Sequence, residues 1–484
     1  MISDNQVISS QRSAVGSRKF SYALCPMPYA LCPMPYALCP MPFLVILFLF
    51  LATPLWATDD QEISQELYDL TSRRAVGSTD MVEVLLETAG ATKMMVDEKE
   101  TTGPLKVMAG FKYEERILDF QTGEKPNLKS IREYSLARAK MEFGETIQTP
   151  DLSTNHRFVV CQISNGKRAS LFSPQGPLKN EQLLLIEGIM GNTLGLDLLL
   201  PPNPVKIGDS WDIPDAALLS FLDVDGVSEQ ALEATLLSVV DDLAMIQIVG
   251  DAQGAYLGAY CEMTVNAKYQ FDLLTGRINW VGMLLEEKRS IGIVGPGLDI
   301  KARLQVKILP LDAPNNLTNE LIKTLDLRPN ESVSRLRFEN ERASWRFQHP
   351  RSWYIIPSGP NQTFLRMLDK GELVAQCNIV AMPKIDPKKP KTLREFAADL
   401  VEGLEKASAK VVSMDESMNS AGYHELRVIL DGKVDKGPQL RWVYFLLTDK
   451  NGFQTVIVFV IEADHLHQFG DSDDQILDSF RMIN

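Results

Sequence analysis

The sequence predicts an α+β protein. Its first part is antiparallel and β-rich, either an open barrel or a curved sheet with helices, and its second part is an α/β/α sandwich. Three observations predict this. Cys261 to Asp272 alternates without interruption: Cys261, Met263, Val265, Ala267, Tyr269 and Phe271 face one way, and the polar residues between them face the other. Successive strand side chains point to opposite faces, so this is a long strand with one buried side. Its sequence neighbours repeat the same period. After a composition change at Pro310 to Arg335, a capped amphipathic helix lies among apolar strands, one of which, Val456 to Ile461, has no polar face.

At 484 residues the chain exceeds one ordinary core, so several units are expected. We divide it into residues 1–57, 58–310, 311–335 and 336–484, the third being a linker. The net charge is −14. Residues 1–57 hold Asp4, Arg12, Arg18 and Lys19, a charge of +2, which leaves −16 on the remainder. Such a surface repels phosphate backbones, so nucleic acid is not an expected partner.

Residues 1–57 read as an export signal. Arg18 and Lys19 precede the apolar run Phe43 to Ala52, and Thr53 to Ala57 leads to a polar start. Cleavage after Ala57 makes the protein periplasmic or secreted. The other reading is an uncleaved anchor over residues 38–57, through which alone it would touch a membrane. YALCPMP occurs three times from Tyr22 to Pro42. Two prolines per repeat forbid a continuous helix, and a translated nucleotide repeat accounts for it. Beyond it remain Cys161, Cys261 and Cys377. A Cys161–Cys261 bridge is one reading of these; three small buried apolar side chains is the favoured one.

In chain order, Glu62 to Arg74 is expected to be helical, and Thr79 to Val96 and Leu105 to Phe120 to be strands. Ile131 to Ile147 suits either state. Asn165-Gly166 between two apolar runs is a hairpin signal. Leu178 to Leu200 begins as a helix that Gly188, Gly191 and Gly195 break. Gly208-Asp209 turns the chain so that Trp211 covers an open end of the sheet, and Trp211→Ala would then cost about 3–5 kcal/mol. From Leu232 to Leu309 five strands form a meander. A sheet with one apolar face must close on itself or be covered by helices.

In the last unit Thr392 and Glu395 have capping-box spacing. Leu393, Phe396, Ala397, Leu400, Leu404 and Ala407 then share a helical face. Strands are expected at Ala343 to Phe347, Leu373 to Met382, Tyr423 to Leu430, Leu440 to Thr448 and Phe453 to Ile461, with a closing helix over Asp473 to Met482. Phe347-x-x-Pro350-x-x-Trp353, the single central helix, the three strands after it and Ile476-x-x-Ser479-Phe480 resemble the PsbP-like fold. That fold is shared by an extrinsic photosystem subunit, a nuclear-transport cofactor and small bacterial envelope proteins. The resemblance covers about 140 residues. It implies an α/β/α sandwich and a binding or assembly role, and it carries over no site residue. The first unit, with Val205 to Trp211 and Gly295 to Asp299, is similar to secreted bacterial proteins of uncharacterised function.

The chemical motifs are weak. His465 and His467 could offer two metal ligands beside Asp464 and Asp471, but no third is evident. Asp223-Val224-Asp225-Gly226 opens like a calcium loop, yet its twelfth position is Ala234. The loop Gly292 to Gly297 is followed by a strand where a phosphate cradle needs a helix. Gly191 to Gly195 has Thr193 where a nucleophile elbow has Ser, and Ser210 follows Asp209, but no His is linked to either. We therefore assign no catalytic, cofactor-binding or metal residue and expect no cofactor. The expected function is an exported, non-enzymatic envelope protein that acts by binding or assembly, as a lipid or lipoprotein carrier or as a docking module. Its partner would be an envelope protein or a lipid. The alternative is an extracytoplasmic hydrolase with a site around Ser210, His424 or His465.

Overall fold

The computed structural model describes residues 66–96, 99–187, 192–433 and 437–483. The export signal, its repeat, and the glycines at 188 and 191 lie outside the described residues. The protein is mostly β, built on large, open antiparallel sheets.

The first sheet has thirteen strands. They are β1 (Thr79–Val96), β2 (Lys99–Gln121), β3 (Asn127–Phe143), β4 (Thr146–Gln148), β5 (Phe158–Ile163), β6 (Ser170–Phe172) and β7 (Ser210–Asp212). After them come β8 (Gly226–Gln230), β9 (Glu233–Val240), β10 (Leu243–Tyr256), β11 (Ala259–Asp272), β12 (Arg277–Arg289) and β13 (Gly297–Leu311). Across the sheet the order is β6-β5-β3-β2-β1-β13-β12-β11-β10-β9-β7, with β4 on β3 and β8 on β10. The meander from β9 to β13 is therefore half of a larger sheet. Its last strand pairs with the first strand of the chain, Thr79 opposite Leu311.

Turn chemistry explains two boundaries. Leu257-Gly258 divide β11 from β10. Both have positive φ, 49° and 76°, as a two-residue hairpin requires. Leu257 is an unusual residue there. Its N–H donates to Asp225 Oδ2, which ties the turn to the loop before β8. A bulge at β12 moves Trp280 to the sheet face opposite Ile278: Phe271 opposes Ile278, but Gln270 opposes Trp280.

The alternating apolar side of this sheet is covered by the segment between β6 and β8. Helix Asn180–Ile186, the 3-10 stretch Thr193–Leu199 and helix Asp215–Phe221 bury Leu185, Leu194, Leu199, Leu218 and Phe221 against it. At its heart lies a charged cluster. Glu115, fully buried, accepts from Arg74 Nη2 (3.0 Å), Arg132 Nε (2.9 Å), Ser130 Oγ (2.8 Å) and Thr193 Oγ1 (2.6 Å). Arg74 also donates to Asp80, to Asp197 and to the Thr193 carbonyl. Burial alone would raise the Glu115 carboxyl; Arg132 and Arg74 overrule it and hold it at about 2. This cluster corrects the expected helix ending at Arg74. Residues 62–65 lie outside the described residues, and 66–74 are not helical, because Tyr68 exchanges backbone hydrogen bonds with Val205 and Arg74 is drawn into the core.

The second sheet follows β14 (Leu336–Asn340) and β15 (Trp345–His349). It holds β16 (Trp353–Ile356), β17 (Gln362–Asp369), β18 (Glu372–Met382), β19 (Lys410–Met418), β20 (His424–Lys433), β21 (Gln439–Thr448) and β22 (Gln454–Glu462). A short β23 (Arg481–Met482) pairs with β15. The order is β16-β17-β18-β22-β21-β20-β19. The wholly apolar strand β22 is thus the middle one. It sends Ile457, Phe459 and Ile461 to one face and Val458 and Val460 to the other. Helix Leu393–Gly403, closed by the Thr392–Glu395 capping box, covers one face. Trp345, Phe347, Phe469, Ile476 and Phe480 cover the opposite face. The closing helix is shorter than expected: Ser472–Leu477 is followed by a strand.

Segment 312–335 is docked rather than free. Leu317 packs on Ile131 and Phe158, and Glu114 accepts from the N–H groups of Asn315, Asn316 and Leu317. The Cys161–Cys261 bridge does not form; both thiols are free and buried.

Two outcomes test this account. Trp211 is only half-buried, its Nε1 donating to the Leu199 carbonyl at 3.0 Å. Trp211→Ala should therefore cost about 1–3 kcal/mol in denaturant unfolding, less than a fully buried indole. Glu115→Gln, which leaves Arg74 and Arg132 undercompensated in the core, should cost about 3–5 kcal/mol by the same measurement.

Candidate functional site

Strand alternation leaves one face of the first sheet to solvent, and among the exposed apolar side chains on it four lie on β1, β2, β3 and β12. Leu85 (61% exposed) is on β1, Met108 (62%) on β2, Leu136 (37%) on β3 and Leu284 (56%) on β12. Each occupies a position where the two-residue period calls for a polar residue. Gly110 makes room for two of them: a side chain there would meet Leu85 Cδ2 and Leu136 Cδ2 at 3.8 and 4.0 Å.

Beside them runs an open groove of about 400 Å³. Met108, Ala89 and Leu284 supply its exposed apolar side chains. Lys106, Lys140, Lys301 and Arg303 supply four positive charges, against Glu87 and Glu142. Four less two leaves +2, on a protein whose net charge is −14. Lys140 pairs with Glu142 and Lys301 with Glu286. Lys106 lies opposite Glu142 across β2 and β3, and Arg303 opposite Glu87 across β13 and β1; among the described residues neither closes to ion-pair distance. The groove crosses five adjacent strands in the order β3-β2-β1-β13-β12.

The interior offers less room. Beside Arg74, Asp80, Asp197 and Arg277 the space is about 10 Å³, near the minimum for a single water, about 10–15 Å³.

A second charged cluster sits where the two sheets meet. Arg168 holds Asp223 through two hydrogen bonds of 2.6 and 2.7 Å, and reaches Asp225 at 3.3 Å. The Asp223–Gly226 stretch is thus a turn locked by a guanidinium between helix Asp215–Phe221 and β8. The Glu187 carboxyl lies in the same cluster, 3.9 Å from Arg168 and 4.0 Å from Arg351. Burial pushes its carboxyl up to about 7; Arg168 opposes this and Asp223 adds to it. Arg351 donates to the Ser334 and Leu171 carbonyls, and Arg366 to that of Ile293. The hairpin turns at Gly258 and Gly371 touch: a Cβ at Gly258 would lie 2.4 Å from the Gly371 carbonyl oxygen.

The other sequence candidates lie apart. Ser210 Oγ pairs with Thr235 Oγ1 at 2.8 Å on the edge strand β7. Thr193 is inside the core, bound to Glu115. His424 Nε2 meets Glu416 at 2.8 Å in the second sheet. His465 and His467 lie on consecutive helical turns, where i and i+2 diverge. Gly292 to Gly297 is the loop between β12 and β13, closed by a Gly292 N–H to Gly295 carbonyl bond of 3.1 Å. His349, not singled out from sequence, is fully buried; burial pushes its imidazole down to about 4, and its Nδ1 meets the Pro350 carbonyl. The structure brings none of Ser210, His424 and His465 into hydrogen-bond contact with another of them.

No protein-family model and no curated protein matches the chain. Among solved structures the chain is similar to cyanobacterial PsbP (CyanoP) from Synechocystis sp. PCC 6803, at 12% identity and a TM-score of 0.25, over 32% of this chain and 96% of that one. It is similar to the Ran-binding protein Mog1p of Saccharomyces cerevisiae at 10% identity and a TM-score of 0.26, over 31% of this chain and 96% of that one. A Bacteroides thetaiotaomicron protein matches at 10% identity and a TM-score of 0.20, over 31% and 48%. The match is a partial one to a PsbP/Mog1-like fold. At these scores it carries no argument about function.

The Glu187 cluster yields a pH test. Its folded-state carboxyl titrates above the unfolded value, so its stability contribution is fully present at acid pH and lost as pH rises through about 7. Glu187→Gln should therefore stabilise the protein at pH 8 and leave it nearly unchanged at pH 4. The side chain keeps 19% of its exposure, which limits the gain to about 1–2 kcal/mol. Thermal unfolding across that range checks the sign.

Proposed function

We propose that this chain is an exported, non-enzymatic envelope protein that acts by docking a partner, and that the outer groove of the first sheet is its docking surface. The observation that carries the reading is the groove itself: exposed Met108 and Leu284 beside Lys106 and Arg303, on an acidic protein. Apolar side chains clustered on a solvated face mark interaction sites when basic residues rim them. The signal-like residues 1–57 support a periplasmic or secreted address.

Two further observations favour docking over carriage. The buried side of the first sheet is covered by residues of its own within 178–187 and 192–224, so a lipid would have to displace Leu194, Leu199, Leu218 and Phe221. Glu115 and Arg74 there are engaged with one another, and with Arg132 and Asp80. A hydrolase finds less support, because Ser210 and His424 are each bound to a local neighbour and lie on different sheets.

A photo-crosslinking residue placed at Met108 in cells should join the protein to one defined partner protein. The same residue at Tyr260 (45% exposed, on β11) is the control. Equal labelling from both positions, or none from Met108, would sink the reading.

A further inference from the structure

We infer that the occupant of this groove is an acidic amphipathic helix of a partner protein, an inference that rests on the docking reading above. The first argument is topological. β2, β1, β13 and β12 each have a hydrogen-bonded neighbour on both sides. An added strand would find no free ladder groups there, so the partner cannot bind by extending the sheet. It must lie across the strands and be recognised by side chains.

The second argument is dimensional. The groove crosses five strands, which at about 4.8 Å spacing span roughly 19 Å. A helix of about 13 residues has that length. Apolar residues recurring every three or four positions would meet Met108, Ala89 and Leu284 in turn along the groove.

The third argument is charge. Lys106 and Arg303 flank the apolar lining with no carboxylate in ion-pair range among the described residues, and Lys140 and Lys301 extend the rim. A helix with Asp or Glu beside its apolar stripe would complement them, and a basic one would be repelled. An anionic bilayer is the less favoured source of negative charge. A protein of net charge −14 is repelled by an anionic membrane surface.

The test titrates the full chain with a synthetic helical peptide of about 14 residues that carries Leu at helical spacing and Glu elsewhere. A second peptide has Lys in place of Glu. Phosphatidylglycerol vesicles form the third arm. The acidic peptide should bind, more weakly as salt is raised, and the Lys peptide should not. Arg303→Glu and Met108→Asp should each weaken binding by about 10-fold or more, with unchanged unfolding midpoints because both side chains are exposed. Equal binding of both peptides, indifference to the two variants, or a preference for vesicles would each overturn the inference. The docking reading fails separately. If Met108 crosslinks a partner that presents no acidic helix, only the inference falls; if Met108 crosslinks nothing, both do.

Discussion

The first sheet depends on how one carboxylate is held. Glu115 points into the apolar side of β2, where an isolated charge could not remain. Two guanidiniums and two hydroxyls satisfy it, and they come from three parts of the chain: Arg74 before β1, Ser130 and Arg132 on β3, and Thr193 in the covering segment. Such a group adds little net stability over an apolar core of the same shape. Its effect is to allow one arrangement. Any shift of the covering segment along the sheet strands Thr193 and Asp197 away from Arg74, and the residue is then a buried unpaired ion. The cluster therefore fixes how segment 178–224 sits against the strands, and with it the shape of the solvent face opposite.

The second sheet is held to the first by backbone carbonyls more than by side-chain packing. Arg351 and Arg366 donate to Ser334, Leu171 and Ile293, Arg337 N–H to Leu178, and the turns at Gly258 and Gly371 lie in contact. Leu336 belongs to the first core and Val333 packs on Val160 and Phe172, so the connecting segment is shared between the two. This junction lies along β5, β6 and the β10–β11 turn. It leaves the middle of the first sheet, where the groove is, uncovered.

Much of this was legible from residue order. The period of β11 and β13, the apolar run of β22 and the Thr392–Glu395 box each specify a local conformation and a buried face without reference to the rest of the molecule. What could not be read depends on distant pairing. That β1 joins β13 is a contact between residues such as Val84 and Val306. Arg74 looked like the end of a helix because local propensity cannot register three carboxylates, Asp80, Glu115 and Asp197, arriving from elsewhere. The turn at Leu257 is not legible in the sequence, because a Leu at positive φ is improbable until Asp225 is placed beneath its N–H. For the groove there was a signal: Leu85, Met108 and Leu284 stand in the wet register of their strands. Their proximity, however, needed the β1–β13 pairing.

One exposed Leu on a sheet is ordinary, since more than half of any protein surface is apolar. The solvent face of this sheet departs from that background in arrangement. Its apolar side chains lie on neighbouring strands in the middle of the sheet, not at an edge. Gly110 and Gly282 separate them, so Leu85 and Leu136 settle over one and the Trp280 ring over the other. Basic residues surround them on a chain with an excess of acidic ones. Solubility would be served by acidic residues at these positions, and stability is indifferent to side chains that touch so little. The docking surface proposed above would account for all three features, because a partner of opposite charge and matching apolar spacing would act on the solvent side alone.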